Sequence, residues 1–205
     1  MDHKPLTLLL VRHGQTAWNR AQRFQGQSDV PLDETGMAQI EKVAGRLSQE
    51  TLDAIYTSDL SRAQMTARAI AANHTCPVII DPRLRELSFG EWEGLTYAEI
   101  ASRFPDQLKV WEQDPFRNAP PGGETVAHLA DRVDAVLTDL RARHAMQTVV
   151  IAAHGGPLQT LICLALDHLP EKHWQFSLRP GSLTEIAFYP AGAILNYLNE
   201  TYNDR

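Results

Sequence analysis

The sequence predicts an α/β protein: three layers, α/β/α, with a mainly parallel central sheet and an antiparallel edge. Two observations carry this expectation. Strand-like apolar runs alternate with segments of helical periodicity along most of the 205 residues, the signature of strands joined by helical crossovers. The last two runs, 183–189 and 193–198, are instead split by the turn-forming YPAGA, which suits an antiparallel hairpin at one edge.

The first strand is expected at 6–11, LTLLLV, whose four apolar residues Leu8 to Val11 read as a buried strand. TGMAQIEKVAGRLSQ follows and places Met37, Ile40, Val43, Ala44 and Leu47 on one helical face. A second strand is expected at 53–57. The next helix, SDLSRAQMTARAIAAN, has Ser58 as its expected N-cap and turns Leu60, Ala63, Ala67 and Ile70 inward. A short third strand is expected at 78–80. The pattern resumes in ETVAHLADRVDAVLTDLRARH, with Val126, Leu129, Val133, Val136, Leu137 and Leu140 on one stripe, and is followed by a strand at 148–153.

Between these, residues 90–123 break the rhythm. They hold Trp92, Phe104, Trp111, Phe116 and four prolines, with one short helix expected near 96–103. Such an excursion is either a lid or a packed connection. The whole chain, 1–205, is expected to form a single domain carrying this lid-like segment.

Composition narrows the function. An apolar fraction of 43% with 21% charged residues is that of an ordinary globular protein. A net charge of −6 argues against a broad nucleic-acid-binding surface, though not against a local positive pocket. No apolar run reaches the length of a membrane span, and the N-terminal residues lack the pattern of a signal peptide. The two cysteines, Cys76 and Cys163, are far apart in apolar surroundings, and neither begins a Cys-x5-Arg phosphatase loop. A cytoplasmic protein with two buried, inert thiols is expected. The oligomeric state stays open.

Chemistry concentrates at strand ends. LLLVRHG and VVIAAHGG both run from a core strand straight into histidine and glycine, giving Arg12, His13 and Gly14, then His154, Gly155 and Gly156. In open parallel sheets ligands bind beyond the carboxyl ends of the strands, and glycines let backbone N–H groups approach them. Arg62 falls in the first turn of its helix, where the macrodipole disfavours a cation unless an anion is shared there. Glu86 follows the strand at 78–80 and should lie near the same edge.

Taken together, RHGQTAWN, RFQGQSDVPLDETG, YTSDLSRAQMTA, LRELSFGEWEG and AAHGG resemble, in order, the blocks of the histidine phosphatase superfamily, the phosphoglycerate mutase-like phosphatases. The resemblance spans roughly 6–199. It implies a phosphoglycerate mutase-like fold and a phosphohistidine mechanism. In it His13 is the nucleophile, Arg12, Arg62 and His154 clamp the phosphate, and Glu86 is the proton donor. Asn19, Gln25, Gly26 and the Gly155 backbone match positions that contact phosphate. A small phosphorylated metabolite is the implied partner, and neither metal nor other cofactor is expected. The Gly14 carbonyl is a candidate for orienting the far nitrogen of His13. His3, His74, His128, His144, His168 and His173 are expected to be structural or solvated.

Mutases of this family follow the glutamate with Arg-His-Tyr and a nearby lysine; here Leu87, Ser88 and Phe89 follow, and Tyr97 stands where the lysine would be. Hydrolysis is therefore expected over mutase activity. A non-catalytic phosphate-binding module and a phosphorelay protein are the further alternatives. FGEWEGLTYAEI, PPGGE and AAHGGP resemble α-ribazole phosphatases of cobalamin assembly and broad-specificity relatives, making α-ribazole 5′-phosphate the expected substrate. Trp92, Trp111 and Phe116 could stack on its flat base or simply pack, and Arg117 could reach substrate or only solvent.

Overall fold

The computed structural model describes residues 4–202, so His3 lies outside the described residues. Six strands form one sheet: β1 (Leu6–Arg12), β2 (Ala54–Thr57), β3 (Val78–Ile80), β4 (Thr148–Ala153), β5 (Leu183–Tyr189) and β6 (Gly192–Glu200). Their spatial order is β3-β2-β4-β1-β5-β6. The first four are mutually parallel; β5 runs antiparallel to β1, and β6 to β5. The sheet is thus mainly parallel with an antiparallel edge, as the sequence predicts.

Side chains alternate across β1. Leu8 and Leu10 join one core with α6 (Val126–Arg143) and α7 (Gly155–Ala165), while Leu9 and Val11 join the other with α2 (Glu34–Leu47) and α3 (Ser61–Ala71). This period of two is what places helices on both faces and gives the three layers. All six apolar positions expected on the stripe of α6 are buried. On α2, Ile40, Val43, Ala44 and Leu47 are buried but Met37 is 38% exposed; in that first turn it is Gly36 that is buried, its Cα side closed off by the Gln15 backbone.

Two local expectations need correction. The α3 helix starts at Ser61 with Leu60 as a cap that offers no side-chain bond, so Ser58 is not its N-cap. The 90–123 excursion holds two helices, α4 (Tyr97–Arg103) and α5 (Pro105–Gln113). Pro105 sits in the first turn of α5, where its missing N–H costs nothing, so a residue that reads as a breaker is a starter. The short helix α1 (Ala17–Arg20) lies near the sheet's carboxyl edge, closed by a capping box between Thr16 and Asn19.

Candidate active site

Because β1 and β4 pair in register, Arg12 opposite Ala153, their next residues meet at the carboxyl edge. The His13 N–H donates to the Ala153 carbonyl at 2.9 Å, and the His13 and His154 rings stand 5.1 Å apart. His13 Nδ1 lies 2.7 Å from the Gly14 carbonyl oxygen. A carbonyl only accepts, so Nδ1 carries the hydrogen and Nε2 keeps its lone pair. Burial, first, and then Arg62 and Arg12 hold the His13 imidazole well below its ordinary pKa, against the pull of the Gly14 carbonyl. His13 is therefore a neutral imidazole, oriented by the Gly14 carbonyl with Nε2 unprotonated.

Arg62 is fully buried in the first turn of α3. Its two terminal nitrogens donate to the Gly26 and Ser28 carbonyls, both at 2.7 Å, while its Nε–H meets no acceptor. Arg12 donates to the Leu178 carbonyl at 2.6 Å, and its Nε–H is likewise unpartnered. His154 Nε2 bonds Ser58 Oγ at 2.7 Å, leaving Nδ1 buried without a partner. Each such orphan costs on the order of 1–3 kcal/mol. Their number at one strand edge points to an anion that completes them.

The remaining expected residues close around the same place. Arg12, His13, Asn19, Gln25, Gly26, Arg62 and Glu86 all line a cleft of about 270 Å³. His154 and Gly155 lie behind it: a Cβ added to Gly155 would sit 3.6 Å from both Arg12 Cζ and Glu86 Oε2. Asn19 Oδ1 accepts from the Thr16 N–H at 3.1 Å, which leaves the Nδ2 hydrogens for the cleft. Gly26 adopts a φ of +52°, and a Cβ there would fall 2.0 Å from Glu93 Oε1. Glu86 Oε1 accepts from the Leu87 and Gly156 N–H groups, both at 2.9 Å.

Several residues that shape the site carry no local signal in the sequence. Glu93 accepts from the Gln27 and Ser28 N–H groups and from Ser28 Oγ, pinning the loop whose carbonyls hold Arg62. Ser58 reads as a cap and proves to be the partner of His154. Phe24 and Phe89, edge to face at 4.8 Å, wall one side of the cleft.

The aromatic excursion is packing. Trp92 is fully buried, with Trp111 edge to face at 5.5 Å and Phe24 at 6.4 Å; Phe116 packs against the core beneath α6. Arg117 pairs with Asp114 at 2.8 Å. Cys163 is buried, its thiol pushed up to about 11 by burial, whereas Cys76 is only half-buried. His144 bonds Tyr56 and Gln147, and His173 bonds the Pro170 carbonyl, both structural roles. Among the described residues no helix is long and apolar enough to cross a membrane, and no group of three or more His, Cys, Asp or Glu side chains is placed to hold a metal.

Known proteins resemble this chain in sequence and in fold. Phosphoserine phosphatase 1 of Hydrogenobacter thermophilus is 34% identical over 194 residues, 95% of this chain and 92% of that one. A metal-independent phosphoserine phosphatase of Arabidopsis thaliana is 38% identical over 157 residues, 75% of this chain and 66% of its own. The crystal structure of the α-ribazole phosphatase from Shigella flexneri superposes with a TM-score of 0.89 at 29% identity, covering 95% of this chain and 96% of that one. Residues 8–201 match the sequence profile of the histidine phosphatase superfamily (branch 1), and this chain belongs to that family.

Proposed function

We propose that the protein is a metal-independent phosphomonoesterase that works through a phosphohistidine at His13 and acts on a small phosphorylated metabolite. The carrying observation is the His13 ring, fixed by the Gly14 carbonyl at 2.7 Å so that Nε2 keeps its lone pair, on a residue that lines the same cleft as Arg12, Arg62 and Glu86.

A phosphate monoester brings a charge near −2, which the unpartnered N–H groups of Arg12, Arg62 and His154 are placed to neutralise. Nε2 of His13 attacks phosphorus in line, and the P–O bond to the leaving group breaks. Glu86 supplies the proton that the departing oxygen takes up. The carboxylate so formed then accepts a proton from water as that water attacks the phosphohistidine, releasing phosphate and restoring neutral His13. The negative charge spread over the transferring oxygens is held throughout by the same clamp. Asn19 on α1 and Gln25 in the loop after it add side-chain amides, Gly26 allows the close approach of that loop, and the Gly155 N–H opens α7 beside the anion.

For the substrate we favour phosphoserine over α-ribazole 5′-phosphate. The cleft of about 270 Å³ is compact, and the tryptophans that could have stacked on a benzimidazole are occupied with each other. A relative at 34% identity is named as a phosphoserine phosphatase. α-Ribazole 5′-phosphate is supported by the structural likeness to an α-ribazole phosphatase and by the Phe24–Phe89 wall.

The test measures phosphate release in EDTA from phosphoserine, α-ribazole 5′-phosphate, 3-phosphoglycerate and p-nitrophenyl phosphate, with His13→Ala as control. Phosphoserine should give the highest kcat/KM, and His13→Ala should lose on the order of 10³-fold or more with its thermal unfolding intact. A kcat/KM for α-ribazole 5′-phosphate above that for phosphoserine would reverse the substrate assignment. Appreciable turnover by His13→Ala would remove the phosphohistidine mechanism.

A further inference from the structure

Glu86 stands on a stretch with little regular structure of its own. After β3 the chain makes one 3₁₀ turn, Pro82–Leu84, and then runs without helix or sheet partners to the turn at Gly90. Such a stretch places a side chain poorly, yet an acid must lie within about 2.6–3.2 Å of the oxygen it protonates. Something outside the stretch has to hold it.

Arg132 does so with every donor it has. It projects from the middle of α6, whose apolar stripe is buried against the sheet. Its Nε–H donates to Glu124 Oε1 at 2.7 Å and one terminal nitrogen to Glu124 Oε2 at 2.9 Å and the Glu86 carbonyl at 3.0 Å. The other terminal nitrogen donates to the carbonyls of Arg83 at 2.5 Å and Arg85 at 2.6 Å. A guanidinium has five N–H donors, and all five are used. Glu124 closes the frame: its carboxylate accepts from the Ser88 N–H at 3.3 Å, and its own N–H donates to the Ser88 carbonyl at 2.9 Å.

The backbone from Arg83 to Ser88 is thus held on both sides of Glu86, by Arg132 on α6 and by Glu124 just ahead of that helix, residues that line no part of the cleft. We propose that Arg132, oriented by Glu124, is a positioning residue for proton donation by Glu86. A lysine could keep the charge there, but a tetrahedral ammonium has three donors and cannot reproduce a planar fork that reaches three carbonyls and a carboxylate. The proposal rests on Glu86 being the proton donor.

The experiment uses that dependence. Loss of a positioned acid hurts poor leaving groups most, whereas a merely structural defect lowers all substrates in parallel. We would measure kcat/KM, which reports the step that expels the leaving group, for Arg132→Lys on p-nitrophenyl phosphate, phenyl phosphate and glycerol phosphate. Glu86→Gln is run in the same series. The expected result is a loss with Arg132→Lys about tenfold larger on glycerol phosphate than on p-nitrophenyl phosphate, in the direction shown by Glu86→Gln. Glu124→Gln, which keeps shape and volume, should give the same steepening in smaller measure and serves if Arg132→Lys folds poorly. Steepening by Glu86→Gln with parallel or absent losses in both frame variants would overturn the role of Arg132 and leave that of Glu86 standing. Parallel losses for Glu86→Gln itself would remove the acid role, and the positioning role with it.

Discussion

The hydroxyl oxygen of Ser58 lies 2.7 Å from Nε2 of His154, and both side chains are shut off from water. Ser58 Oγ also accepts from the Leu60 N–H at 3.3 Å, and its own hydrogen is available to donate to the imidazole. In the tautomer where Nε2 accepts that hydrogen, a neutral His154 carries its own on Nδ1, the buried nitrogen with no partner, and an anion beside Nδ1 selects this tautomer. On the proposed mechanism, a serine on one strand end thereby makes an uncharged histidine on another a donor for phosphate. Burial, with Arg62 next, holds His154 well below its ordinary pKa, so the neutral form is the one that must do this work.

Ser58→Ala releases that constraint. The tautomer with hydrogen on Nε2 becomes available, and Nδ1 then points a lone pair at an anion. We expect kcat/KM to fall about tenfold, the size of one hydrogen bond to a charged group. The fall should be equal for alkyl and aryl phosphates, because His154 serves the phosphoryl group and not the leaving oxygen. A loss concentrated on alkyl phosphates would contradict the assignment.

The two strand-end histidines also set a pH dependence. Both are held below the ordinary imidazole value of 6.5, chiefly by burial. An unfolded histidine takes up its proton near that value while the folded one does not. Between it and the lower folded values the unfolded state binds more protons, so stability rises with pH. Their contribution is complete above about pH 6.5 and is lost as pH falls below it. The urea midpoint of the wild type should therefore drop between about pH 7 and about pH 5 more steeply than that of a His13→Asn, His154→Asn double variant. On the proposed mechanism neutral His13 is the attacking form, so the acid limb of kcat/KM should lie below 6.5; a limb centred at or above that value would mean His13 is not the group observed.

How much of this is legible without coordinates depends on distance along the chain. His13 and His154 announce themselves as a pair: one apolar run ending in histidine is ordinarily a hydrogen-bonded strand end, but two, each before a glycine and one preceded by arginine, point to a ligand at the edge of a sheet. Arg62 does so through a conflict, a cation at the positive end of α3. Ser58 misleads because its neighbourhood satisfies an N-cap pattern, whereas its hydroxyl spends its bonds on the Leu60 N–H and a residue 96 positions away. Arg132 is invisible for a related reason. On the helical wheel it is one more charge on the polar face of α6, and only the fold brings the Arg83, Arg85 and Glu86 carbonyls, 46 to 49 residues earlier, around its fork. Trp92 shows the opposite error: an aromatic next to a catalytic block invites a substrate role, but its ring fills the space beneath Phe24 and Trp111.

Gly156 separates catalysis from stability most sharply. Its N–H donates to Glu86 Oε1 at 2.9 Å, and a Cβ on it would lie 2.4 Å from that same oxygen and 3.4 Å from Leu129 Cδ2. Alanine in a helix is worth up to about 1 kcal/mol over glycine, and the obstructing atom is the end of a flexible side chain that can swing away. The fold should therefore lose nothing: the melting temperature of Gly156→Ala is expected to match or exceed that of the wild type. The carboxyl, however, has to move by roughly an ångström, which is enough to cost about 100-fold in a proton transfer. Turnover of glycerol phosphate should fall by about that factor, with a much smaller loss on p-nitrophenyl phosphate, whose leaving group needs little protonation. Full activity on the alkyl ester would show that the Glu86 carboxyl does not work from this position. A drop in melting temperature with equal losses on both esters would show instead that Gly156 is needed for packing.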